Sequence, residues 1–240
     1  MKHRIPTTIL STAAGLVLFW YAGGSGAELP LATEADANVT AEGLHRVHPS
    51  VMEAAWVRPD FDLSSYTRVL LMPTAVQFRD VPDRPDDART RASTEEFPLA
   101  DDRKEWLRKL WRQAVEARFA REDSFEHYDG IGSNVLVVQG FLVDVVSRIP
   151  PVTPGSSYTL VSNPWSATVV LELRDATTAE LLARTIDRRN AQGLLEVDAV
   201  WHQTANLVER WAGVLTDRLD QLSDLGGRGR GTPTWWASGE

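Results

Sequence analysis

Histidines, aspartates and an excess of arginine are the side chains of this chain best able to do chemistry. His45 and His48 stand three apart, a spacing that on a helix brings two imidazoles to one metal. Pro49 follows at once, and neither an acid nor a further His stands at ligand spacing. His127 and His202 are isolated, and a site needs convergent partners, so both read as structural or surface groups. Asp80, Asp83, Asp86 and Asp87 suggest a calcium loop. The glycine and terminal glutamate of such a loop are missing and prolines interrupt it, so a solvated loop is expected. Asp144 is the one acid inside a long apolar run. It is a candidate carboxylate for catalysis, but the pattern favours an outward-facing residue near a strand end. No nucleophile elbow, phosphate loop, zinc-protease motif or dinucleotide fingerprint occurs. No catalytic residue, cofactor or metal ligand is assigned from the sequence.

Composition narrows the classes further. The 240 residues include no cysteine, which excludes disulfides, thiolate metal sites and lipid attachment to Cys. The formal charge of -8 argues against a broad nucleic-acid surface. Arginine outnumbers lysine 22 to 3, which suits anion recognition but is better explained by codon bias in a GC-rich genome. The nine tryptophans fall mostly on helix faces and segment ends, where core filling comes before ligand stacking.

The elements that must position any site are legible in the periodicities. Residues 28–60 read as an irregular lead-in, with a short turn of helix near Val51 to Trp56. Arg68 to Met72 is a β-rich run closed by Pro73, with apolar character resuming through Val76 and Phe78. Residues 79–95 form a polar loop. Asp102 and Glu105 then read as a capping box. Leu107, Leu110, Trp111, Ala114, Val115 and Phe119 give one apolar stripe, with Arg103, Lys104, Arg108 and Lys109 on a solvated face. Asn134 to Ile149 is apolar at both alternating sets, as in a central strand covered on both faces, and Gly140 within it marks a bulge or a close contact. Residues 150–164 are a Pro/Gly/Ser loop containing Tyr158. Residues 167–174 and 180–188 make a hairpin around Asp175 to Ala179. Asp198 caps a last helix whose stripe runs from Trp201 to Leu222 and stops at Gly226 and Gly227. The expected fold is a two-layer α+β sandwich: a four-stranded mixed sheet in β-α-β-β-β-α order, with two helices on one face, over residues 61–225. The tail, 226–240, carries Trp235 and Trp236 and is expected to be disordered.

The first residues read as an export signal. Lys2 and Arg4 precede an apolar run from Ile9 through Tyr21, and small residues follow up to Ala27. Cleavage is expected before Glu28, and an uncleaved inner-membrane anchor is the alternative. Loss of residues 1–27 removes two cations and no acid, taking the formal charge from -8 to -10. Repulsion of this size helps solubility and disfavours anionic surfaces.

Trp56 through Pro73 resembles the opening of a bacterial family of unknown function, numbered 3313 among such domains. Its members share a pattern of the type R-P-x-x-D-L-x-x-Y-x-x-V-L-x-x-P, matched here from Arg58 to Pro73. Val169 through Arg184 is similar to the family's L-R-D-x-x-T-G-E turn, with Ala179 where Gly is often seen. The resemblance covers residues 45–225. It implies an envelope location and a fold, and it brings no functional residue. Members often carry a lipobox cysteine, and Gly24 stands at that place here.

Taken together, these features lead us to expect an exported bacterial envelope protein, periplasmic or secreted and non-catalytic. It would bind an unknown envelope protein or ligand, bind no nucleic acid, and meet the membrane only through residues 1–27 if they are retained. The alternative is a hydrolase with a site dispersed over loops 79–95 and 150–164, gathering Asp144, Tyr158, a His and an Arg.

Overall fold

Thirteen residues of nearly unbroken apolar character, Val135–Ser147, form the longest strand, and the sheet is built around it. A computed structural model of the chain describes residues 38–47, 52–82, 96–122, 125–150, 160–191 and 194–227. The proposed leader, His48, Tyr158 and the Trp235–Trp236 tail lie outside the described residues, as does most of the loop expected at 79–95. The element order is β1 (His45–Arg46), β2 (Ala54–Val57), β3 (Arg68–Leu71), β4 (Ala75–Phe78), α1 (Asp101–Phe119), β5 (Glu126–His127), β6 (Val135–Ser147), β7 (Leu160–Ser162), β8 (Trp165–Asp175), β9 (Leu181–Asn190), β10 (Leu194–Glu196) and α2 (Val197–Leu225).

The expected β-α-β crossover is present: β3 and β4 both run parallel to β6, with α1 between them in sequence. The hairpin is present too. β8 pairs antiparallel with β6 on one side and β9 on the other. The sheet is larger than the four strands expected. It has eight, in the order β1-β2-β9-β8-β6-β3-β5, with β4 pairing β6 beyond the end of β3. The first extra pair comes from the lead-in. Ala54–Val57 is a strand against β9, not a turn of helix. Its sequence hides this because both faces are covered: Ala55 and Val57 join the large cluster under the helices, and Ala54 and Trp56 join a smaller cluster on the other face. Alternation in polarity disappears when both sides of a strand are dry. The stretch expected as one strand to Phe78 is divided into β3 and β4 around Pro73, which lacks the ladder N–H. β5 is two residues long and leaves no periodic signal. Residues 160–162, read as loop, pair with β10 in a separate two-stranded sheet.

Both helices lay their apolar stripes on one face of the sheet. Leu107, Trp111, Val115 and Phe119 of α1, and Val208, Leu215, Leu219 and Leu222 of α2, share one cluster with Leu136, Val138, Leu142, Leu171 and Leu173. Gly140 is where α2 comes closest, since a Cβ there would lie 2.5 Å from Leu215 Cδ1. The glycine marks close packing, not a bulge. The helix starts differ from the capping residues expected. α1 begins at Asp101 after Ala100, and α2 at Val197 after Glu196, both without a side-chain cap bond. Asp101 and Asp102 instead sit in the first turn of α1, where negative charge suits the helix dipole. Among the described residues, no helix is long and apolar enough to cross a membrane.

Candidate functional site

Asp144 occupies a break in the sheet register. Val143 faces Thr168 and Val146 faces Ser166 on β8, so β6 carries one residue more than its neighbour here. The same excess appears against β4, where Val76 faces Leu142 and Phe78 faces Val145. The bulge places Asp144 in the left-handed region, at φ 54°, a conformation that Asp tolerates better than most residues. It also resets the alternation, so that Leu142 and Val145, three apart, both reach the helix-side core. The Asp144 carboxylate is turned outward and gripped at both oxygens. Arg79 Nε donates to Oδ1 at 2.7 Å and Nη2 to Oδ2 at 2.5 Å. The remaining arm, Nη1, donates to Glu96 Oε1 at 2.6 Å. Glu96 is carried there by its neighbour Phe97, whose N–H donates to the Ser147 carbonyl at 2.8 Å. The hydrogen bonds from Arg79 to Asp144 raise the Arg79 pKa against partial burial, and the charges of Asp144 and Glu96 add to this. A carboxylate held at both oxygens by a permanent cation is an arrangement suited to structure or recognition.

Beside this pair runs a groove of about 400 Å³ between β4 and the start of α1. Its apolar lining is Val76, Phe78, Val81, Pro98 and Leu99, and its charged lining is Arg79, Lys104, Arg108 and a single acid, Asp80. Arg108 lies over the Phe78 ring at 5.2 Å, and Lys104 and Arg108 reach acids of their own helix only at 3.4 Å. The groove is therefore apolar at its floor and cationic at its rim. Sequence reasoning assigned Lys104 and Arg108 to a solvated helix face. The contact with Glu105 agrees with that, but the facing strand turns the same face into one wall of a groove. An apolar strand bracketed by Pro73 and Pro82 was the available signal.

The other residues weighed from the sequence are dispersed. His45 is exposed on β1. His127 is exposed on β5, with Nε2 2.7 Å from the Phe119 carbonyl. His202 is exposed on α2. Among the described residues, the groove brings an Arg to Asp144 but no histidine, and no cluster of three metal-binding side chains occurs.

The two segments that carry the family resemblance do meet. Tyr66 donates its hydroxyl to Asp175 Oδ2 at 2.8 Å, and Arg58 pairs with Glu180 at 2.7 Å. Asp175 Oδ1 accepts the N–H groups of Thr177 and Thr178 at 2.8 and 2.7 Å, closing the hairpin turn. Burial opposes ionisation of Asp175, but these donors outweigh it and hold its pKa below the usual carboxylate value. Burial, followed by the bond to Asp175, pushes the Tyr66 phenol up. Ala179 sits at φ 60°, the conformation for which glycine is suited. These contacts tie the hairpin to the start of β3.

No family model matches the chain, and no curated protein matches it. Among solved structures, it is similar to a variant PelC dodecamer from Paraburkholderia phytofirmans, at 11% identity and TM-score 0.27, over 65% of this chain and 90% of that one. A candidate neuraminyllactose-binding hemagglutinin homolog from Helicobacter pylori is similar at 9% identity and TM-score 0.32, over 68% and 84% of the two chains. A hypothetical protein from Chlamydia trachomatis is similar at 13% identity and TM-score 0.29, over 63% and 94%. Likenesses this distant carry nothing about what this chain does.

Proposed function

We propose that this chain is an exported bacterial envelope domain, similar to the family numbered 3313, that works by binding and not by catalysis. The periplasm, or secretion beyond it, is its place, and the β4–α1 groove is its binding surface. Export is supported by the basic, apolar and small-residue order of residues 1–27. The observation that carries the binding reading is the state of Asp144. Arg79 holds it at both oxygens beside a groove with an apolar floor and a cationic rim, an arrangement suited to recognition.

Complementation of a strain lacking the gene separates this reading from the hydrolase alternative. The binding reading expects Asp144→Asn, which keeps the shape and one acceptor for Arg79, to restore the lost envelope phenotype and the double charge reversal Lys104→Glu with Arg108→Glu to fail, with both proteins exported and folded. A catalytic Asp144 gives the reverse. N-terminal sequencing of the complementing protein tests export, with a start at Glu28 expected and a full-length cytoplasmic chain contradicting it.

A further inference from the structure

We propose that β4 is an open sheet edge that takes up an extended acidic segment of a partner protein as an added strand, in the groove against α1. This rests on the binding reading above and names the partner's chemistry.

The edge is defined by what lies on either side of Pro73. Before it, the outer side of β3 is closed by β5, through Arg68 with Glu126 and Val69 with His127. After it, the only strand partner of β4 among the described residues is β6. Arg79 directs its N–H at the Val145 carbonyl of β6, 3.1 Å away. Backbone groups alternate along a strand, so the N–H and C=O of Val76, Phe78 and Asp80 point the other way, along the outer edge. Residues 76 to 81 all line the groove, as expected when a strand presents its edge to a cavity. An unpaired row of donors and acceptors is a template for another chain.

The walls indicate which chain fits. Val76 and Phe78 also reach the helix-side core, so the floor offers apolar sockets for alternate side chains of an added strand. The rim cations facing an added strand are Lys104 and Arg108, since Arg79 is already taken by Asp144 and Glu96, and the one acid in the lining is Asp80. Lys104 pairs with Asp101, and Arg108 with Glu105 above the Phe78 ring; these exposed ion contacts, three residues apart, are of little worth, and a partner's carboxylates can replace them. Pro73 and Pro82 bracket the edge and limit the added strand to a short register. The occupant is thus an extended peptide segment with apolar residues at alternate positions and acids beside them.

The test pans a displayed library of random peptides, each roughly eight residues long, on the full chain and measures binding of the most enriched peptide. Enrichment of alternating apolar and acidic residues is expected. Affinity should drop about tenfold or more with Lys104→Glu and Arg108→Glu together, equivalent to about 1.4 kcal/mol. N-methylation of the alternate amides that face β4 should abolish binding, and N-methylation of the other set should leave it. Basic or helix-patterned winners, or no winners, overturn the proposal. So does tolerance of N-methylation at both sets. If that tolerance accompanies loss of binding on charge reversal, strand addition falls and the groove as a binding surface stands. A dimer of the free chain that the charge reversal dissociates would assign the edge to a second copy and overturn the partner.

Discussion

Arg218 and Arg79 grip an aspartate in the same way and do opposite things for the molecule. Arg218 on α2 donates Nε and Nη2 to Asp187 of β9, both at 2.7 Å. Its side chain is 10% exposed and that of Asp187 4%. Arg79 makes the same fork with Asp144, with the two side chains 41% and 39% exposed. The first pair lies between helix and sheet, where Arg218 without Asp187 would keep its bond to Gln221 but no counter-charge among the described residues, while Asp187 is also reached by Arg189 at 2.9 Å. The second lies at the surface, where water screens it and replaces it easily. Bidentate geometry is therefore a poor guide to energetic importance, and burial is the better one. The buried pair locks α2 to its register on the sheet. The exposed pair sets the shape of the groove mouth at little energetic cost.

Removing each aspartate tests this contrast most sharply. Asp187→Ala should cost about 3–5 kcal/mol in urea unfolding, because Arg218 stays buried without its counter-charge. Asp144→Asn, which removes the charge and keeps a side chain that tolerates the left-handed backbone, should cost less than about 1 kcal/mol. Equal losses would break the comparison.

The Tyr66–Asp175 bond sits between these extremes in exposure and should sit between them in energy. Tyr66→Phe should cost about 1 kcal/mol. The pKa of Asp175 is lowered by folding, so the stability it provides is present above the unfolded carboxylate value. That stability is lost as pH falls through the depressed folded value. The difference in stability between wild type and Tyr66→Phe should shrink in that acid range. A difference that grows on acidification would contradict the assignment.

The smallest effect concerns backbone strain. Ala179 and Asp144 both hold positive φ, at 60° and 54°. Ala179→Gly should stabilise by roughly 0.5–1 kcal/mol, since relief of the left-handed strain exceeds the added freedom of glycine in the unfolded chain. Asp144→Gly should lie near zero, because relief of strain is offset by loss of the ion pair. Thermal unfolding of the two variants side by side measures the difference.

The parts of the fold that could be read in advance share one property: one face wet and one face dry over many residues. α1, α2 and the β8–β9 hairpin all have it. β2 was hidden because Trp56 and Ala55 are dry on opposite faces, and β1 and β5 because two residues hold no period. The Asp144 bulge leaves no mark in the sequence except an acid in an apolar run, and its arginine lies 65 positions away. Lys104 and Arg108 were visible as helix-face cations. Their role depends on β4 standing opposite, which only tertiary structure supplies.

The central claim, that this chain acts by binding through the β4–α1 groove, is tested most directly by photo-crosslinking in cells. A benzoylphenylalanine in place of Gln77, on the open strand, should trap a discrete envelope protein. The same probe in place of Ile131, a more accessible surface position at 50% exposure, should not. The adduct should disappear with Lys104→Glu and Arg108→Glu. Adducts of equal yield at both positions, or an adduct at Gln77 that survives the charge reversal, would contradict the account.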